Sequence, residues 1–291
     1  EIVEEGFANC GRIKSVELPD TITTINQSAF SGCNELESLV LGNGVKTIGV
    51  YAFQNCEKLK TIVVPDGIES IGVWAFYSCN SLDFNVYDNA YYLGNTTNPY
   101  VVLVKAVNQE IVSCDINEEA KLLLGEAFSG CSNLENIDLK SVQFIGDAAF
   151  AGSGLTSVVI PSSVKYIEYN CWFNCKVLSS ITVQEGNLRY KSVNNCLIDT
   201  QTDILVATCN GSVLPNDGSI VSIGAGAFAS CPEITSVVIP DGVELIGINA
   251  FWNSQITHLV IPDSVVFIHS WAFSFCETLT SINYLGTMEQ W

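Results

Sequence analysis

Residues 59–82 run Leu59-x-x-Ile62-x-Val64-Pro65, Ile68-x-x-Ile71-Gly72, Ala75-Phe76-x-x-Cys79-x-x-Leu82, and this order of residue types returns along the whole chain. The aromatic slot is held by Phe7, Phe30, Phe53, Phe76, Phe128, Phe150, Trp172, Phe228, Phe251 and Phe273. Neighbouring slots lie 22 or 23 residues apart, except for 52 between Phe76 and Phe128 and 56 between Trp172 and Phe228. A fixed period of this size means stacked coils, because one coil cannot bury its apolar face alone and a stack can. The shorter units have local causes. Ser153-Gly154-Leu155 and Ser254-Gln255-Ile256 each lack one residue after the aromatic, and the unit after Phe128 is shortened at Lys140-Ser141-Val142.

Within a unit, apolar residues stand at positions 1, 4 and 6 of Leu-x-x-Ile-x-Val. Positions 4 and 6 share one face of an extended chain and position 5 takes the other. This predicts a short strand with one buried face, ended by Pro19, Pro65, Pro161, Pro240 or Pro262, which cannot continue a ladder. The Ile-Gly and Ala-Phe parts predict a return path of short turns and one helical turn, with Ala small because the next coil lies against it. Parallel strands about 4.8 Å apart are expected near 13–18, 36–41, 59–64, 82–86, 111–116, 134–139, 155–160, 178–183, 209–214, 234–239, 256–261 and 279–284. The chain thus reads as one repeat solenoid over residues 1–291.

The two long intervals predict β-hairpin insertions near 87–110 and 187–208. Ala90-Tyr91-Tyr92-Leu93 and Tyr100 to Val104 flank a polar turn at Asn95 to Pro99, and Asn195 to Ile198 and Ile204 to Ala207 flank Asp199 to Asp203. Both are expected on the convex side or an edge, as curvature-adjusting spacers or as projecting contact arms. At Leu82 the register slips: Asn85 takes an apolar slot, so Phe84 and Val86 are expected to turn inward.

The pattern Ile-Pro-x-x-Val-x-x-Ile-Gly-x-x-Ala-Phe-x-x-Cys-x-x-Leu, clearest from Ile239 to Phe251 and from Ile261 to Phe273, resembles the BspA-like leucine-rich repeats of bacterial and protist surface proteins. The resemblance covers nearly the whole chain. It implies a leucine-rich-repeat right-handed superhelix, and an extracellular or cell-envelope protein in adhesion, binding host or matrix proteins or glycoproteins. The long intervals and the slip at Leu82 depart from the pattern.

The net charge is −19, from 31 acidic against 12 basic residues. That disfavours nucleic acid and anionic membranes, which need Lys and Arg clusters. The acids are scattered, as solvation requires, and there is no apolar run of membrane-spanning length. Met288 is the only methionine, and the chain opens and closes inside repeat units. The expectation is therefore a trimmed or processed piece of a secreted or surface protein, its export signal or anchor lying outside.

Cys10, Cys33, Cys56, Cys79, Cys131, Cys175, Cys231 and Cys276 share one repeat slot, which Ser153 and Ser254 also fill. A slot that takes Cys or Ser is small and buried, so reduced thiols acting as compact apolar groups are expected rather than disulfides. The other four are Cys114, Cys171, Cys196 and Cys209. Cys171 and Cys175 have no histidine near them in sequence, which argues against a metal site. His258 is placed outward on a strand, and His269 replaces the Gly after Ile268. No nucleophile elbow, zinc-protease motif or phosphate loop occurs, and no catalytic residue, cofactor or metal is assigned. Asn26, Asn95 and Asn210 stand in glycosylation-type triplets, which also arise by chance.

The remaining candidates face outward from the strands. Small hydroxyls at position three and mostly valines at position five predict a shallow apolar groove with hydroxyl donors along a concave face. The candidate contacts are Ser38, Val40, Thr61, Val63, Ser157, Val159, Ser180, Thr182, Ser236, Val238, His258 and Val260, with Trp252 and Trp271 near His258 in sequence. The same pattern suits plain strand propensity. A protein-binding adhesion module is the leading expectation, a passive spacer presenting another domain is the second, and an enzyme would require a catalytic domain elsewhere.

Overall fold

The computed structural model describes residues 1–229 and 231–287; Met288 and Trp291 lie outside the described residues. The fold is a β-solenoid of about twelve turns, with no helix among the described residues. The chain divides into two compact units. One comprises Glu1–Asn108, Cys114–Ala127 and Lys140–Ala149, the other Gln109–Ser113, Phe128–Leu139 and Phe150–Trp291.

The strand reading holds at position level. Leu36, Leu39 and Leu41, then Leu59, Ile62 and Val64, then Leu155, Val158 and Ile160 are buried. Strands Ser15–Glu17, Ser38–Val40 and Thr61–Val63 run parallel with Ser15, Ser38 and Thr61 in register. After the strand, the Pro65 carbonyl accepts from Ile68 N–H at 3.2 Å, the tight turn that carries the chain off the ladder.

The return path is where the aromatic rings sit. Phe7 stacks on Phe30 at 5.0 Å, Phe30 on Phe53 at 5.3 Å and Phe53 on Phe76 at 5.7 Å. In the second unit Phe128, Phe150 and Trp172 form one column and Phe228, Phe251 and Phe273 another. Phe30, Phe53, Phe128, Phe150, Trp172, Phe228 and Phe251 are buried, Phe76 and Phe273 are half-buried, and Phe7 in the first coil is 42% exposed. Alongside the rings runs a ladder of backbone bonds. Phe30 N–H donates to the Ala52 carbonyl at 2.7 Å and Phe53 N–H to that of Ala75 at 2.8 Å, which explains the small residue before the ring. The expected helical turn does not form. The residues two before and two after the ring hold left-handed backbone, as at Tyr51 (φ 57°) and Asn55 (φ 59°), and this breaks any helical run.

A second ladder was not expected from the sequence. The Ile of Ile-Gly closes a two-residue parallel strand, as in Thr24–Ile25, Thr47–Ile48 and Ser70–Ile71. The following Gly is required by contact: a Cβ on Gly72 would lie 2.6 Å from Val50 N.

Both hairpins exist, but they are spliced into this second ladder. Val102–Ala106 pairs antiparallel with Ala90–Leu93 and parallel with Leu122–Leu123. Ile204–Ala207 pairs antiparallel with Cys196–Asp199 and parallel with Ser222–Ile223. Each gains a third strand, Asn85–Tyr87 and Tyr190–Val193. Recruitment of Asn85–Tyr87 into the hairpin corrects the Leu82 expectation: Phe84 packs against the core, but Val86 is 56% exposed. The second insertion is pinned by Arg189, which donates twice to buried Asp199 Oδ2 at 2.9 and 2.8 Å and lies over the Tyr166 ring.

All twelve cysteines are thiols. The repeat slot adds a role beyond apolar filling. Cys33, Cys56 and Cys79 Sγ donate to the carbonyls of Phe7, Phe30 and Phe53 in the preceding coil at 3.2, 3.3 and 3.2 Å. A serine hydroxyl suits the same place, and Ser153 Oγ lies 3.4 Å from Cys175 Sγ. Burial pushes Cys33 and Cys131 up to about 11 and Cys196 to about 12, above the ordinary thiol value near 9. The folded chain therefore holds protons that the unfolded chain releases above pH 9, and stability falls as pH rises through 11. We expect the urea midpoint to stay level from pH 6 to 8 and drop from pH 9 to 11; a level midpoint to pH 11 contradicts the thiol burial.

Candidate functional site

The outward strand face is built by alternation: with Leu39 and Ile62 pointing in, their neighbours must point out. The structure places the twelve candidates in three separate ladders. In the first unit Ser38 pairs with Thr61 and Val40 with Val63. In the second, Ser157 pairs with Ser180 and Val159 with Thr182, and Ser236 pairs with His258 and Val238 with Val260. Val40, Val63, Val159 and Val238 are 39%, 36%, 53% and 62% exposed. Thr61, Thr182, Ser236 and His258 are exposed, while Ser38, Ser157, Ser180 and Val260 are half-buried.

Three of the twelve expected strands do not form in full. Residues 111–116 and 134–139 contribute only single bridge residues, Asp115 and Asp138, and 209–214 contributes no strand. At 209–214 local bonding wins over the ladder. Ser212 Oγ accepts from Cys209 N–H at 2.9 Å and donates to the Asn195 carbonyl at 2.8 Å, and Gly211 holds φ 77°.

That failure opens two hollows within the second unit, which the sequence reading missed. One of about 540 Å³ is lined by Val213, Leu214, Ser236, Val238, Asp241 and Leu285. A wider one is lined by Thr182, Ser192, Asn194, Asn195, Gly211 and Val213. The available signal was Gly211, which stands where other units carry a strand residue. His258 Nδ1 lies 2.8 Å from Thr257 Oγ1. Trp252 packs instead on the Phe173 and Phe275 rings at 5.2 and 5.5 Å, in the return path, and Trp271 is 66% exposed.

Among the described residues no three His, Cys, Asp or Glu gather as a metal site. Burial raises the Cys33, Cys175 and Cys231 thiols, the opposite of what a cysteine nucleophile needs. The three glycosylation-type amides are used inside the fold. Asn26, Asn95 and Asn210 Nδ2 donate to the carbonyls of Ile2, Val64 and Lys176 at 2.9, 3.0 and 2.8 Å.

Six copies of the BspA type leucine rich repeat region match residues 1–97, 107–204 and 207–290. No curated protein matches the chain. Among solved structures, a leucine-rich repeat protein from Eubacterium ventriosum is similar at 19% identity and TM-score 0.48, over 94% of this chain and 60% of that one. A leucine rich cell surface protein from Faecalibacterium prausnitzii is similar at 24% identity and TM-score 0.40, over 99% of this chain and 83% of that one. The pneumococcal vaccine antigen PcpA is similar at 17% identity and TM-score 0.47, over 97% and 67%. The chain thus spans less than two thirds of the first of these.

Because the valines face solvent, changing Val63, Val159 and Val238 together to Glu should alter stability by less than ~1–1.5 kcal/mol in urea unfolding. A loss of several kcal/mol would place these side chains in the core instead.

Proposed function

The chain belongs to the BspA-type leucine-rich-repeat family, and on that footing we propose that it is an extracellular or cell-surface protein-binding module of the adhesion kind. The outward strand faces hold a protein or glycoprotein partner of host or matrix type. The observation that carries this is the run of solvent-facing valines beside hydroxyls, on a chain whose net charge is −19. Apolar area left in water on a highly charged protein marks a contact surface. Hydroxyl donors beside it supply orientation, and stacked coils present both on a repeated lattice. The hollow beside Val238 gives an anchoring side chain somewhere to enter.

The reading includes one domain over residues 1–291 and no catalytic role. In a pull-down against immobilised matrix proteins, wild type should be retained and the Val63, Val159 and Val238 to Glu variant should lose at least ~10-fold in affinity. Equal retention moves the contact off the strand faces. No retention of wild type favours a passive spacer.

A further inference from the structure

In each of the first three steps of the return path, three backbone N–H groups reach the next coil. Tyr51, Phe53 and Asn55 donate to the carbonyls of Val73, Ala75 and Tyr77 at 3.4, 2.8 and 2.8 Å. Ser28, Phe30 and Gly32 do the same towards Val50, Ala52 and Gln54. The equivalent donors one coil later are Trp74, Phe76 and Ser78, and among the described residues they have no acceptor. The next 52 residues contain the first insertion instead of the next ring.

The place where that coil would lie is a cavity of about 430 Å³, entirely within the first unit. Its walls include Trp74, Phe76, Tyr77, Phe84, Lys105 and Glu126. Phe76 carries Phe53 on one face at 5.7 Å and, among the described residues, no stacked ring on the other. Trp74 is 41% and Tyr77 56% exposed. The second insertion, similar in sequence, leaves no such space. There Asn170 Oδ1 moves in against Gly226, and the remaining void is about 10 Å³.

We propose that this notch is a peptide-binding site that takes a segment bearing an aromatic side chain, turned about its ring in the manner of a missing coil. The repeat itself specifies the occupant. Carbonyls at alternate residues accept from Trp74, Phe76 and Ser78 N–H, a small residue fits before the ring, and the ring stacks on the bare face of Phe76. Backbone bonds then supply affinity and the ring specificity, the division of labour in strand addition. The notch lies in the return path, so this site stands apart from the strand-face contact and can fail without it.

The test is residue-resolved amide exchange by NMR with a capped peptide, Gly-Val-Tyr-Ala-Phe-Gln-Asn, copied from residues 49–55. Without peptide, Trp74, Phe76 and Ser78 amides should exchange much faster than those of Tyr51, Phe53 and Asn55. At ~1 mM peptide, enough to populate weak complexes, the first three should slow at least tenfold and the others stay unchanged. The Phe→Ala peptide should give no slowing, and Lys105→Trp, an exposed change at the rim, should abolish the effect of the native peptide. Protection of the three amides in the peptide-free protein would overturn the proposal. So would unchanged exchange with peptide, or equal slowing by the Phe→Ala peptide.

Discussion

Everything in this fold depends on one contact repeated between coils: an aromatic ring lying flat on the ring of the coil before it. The centroid spacings run from 4.5 Å for Phe228 and Phe251 to 6.4 Å for Phe150 and Trp172. Rings at that distance leave the backbones room only for small residues. Hence Ala stands before the ring, and Gly72 passes Val50 N too closely for a side chain. The left-handed residues two before and two after the ring, such as Tyr51 and Asn55, turn the chain about it. Such backbone costs roughly 1–2 kcal/mol per non-glycine residue, and ring burial of ~3–5 kcal/mol offsets it.

Much of this was legible because the repeat shows each constraint many times over. The ring column, the inward residues at positions 4 and 6, the buried cysteine slot and both hairpins follow from spacing. What was hidden depends on partners far away in sequence. Thr47–Ile48 is too short to show a strand period, yet it pairs in register with Ser70–Ile71. Asn85–Tyr87 belongs to a hairpin only because Ala90–Leu93 is there to pair with it. The thiol bond of Cys56 goes to a carbonyl 26 residues back, which apolar patterning does not register.

The candidate site was legible in a different sense. Alternation placed Val63, Val159 and Val238 in solvent, because position parity is a local property. Whether residues 209–214 pair as a strand is not local. Ser212 settles it at 209–214 by bonding to Cys209 and Asn195 instead of lying in a strand. The hollows therefore occur where the repeat rule lapses. The same holds for the notch at Phe76. A regular coil covers its own hydrogen-bonding groups, so surfaces able to accept another chain arise where a coil is missing.

The most direct test of ring stacking is a double-mutant cycle on Phe30 and Phe53, parallel to within 5° and both buried. Phe30→Ala and Phe53→Ala should each cost ~3–5 kcal/mol in urea unfolding. The double variant should cost less than their sum by ~0.5–1.5 kcal/mol, the interaction between the rings. Single losses below ~1 kcal/mol that add without coupling would contradict a shared aromatic interior.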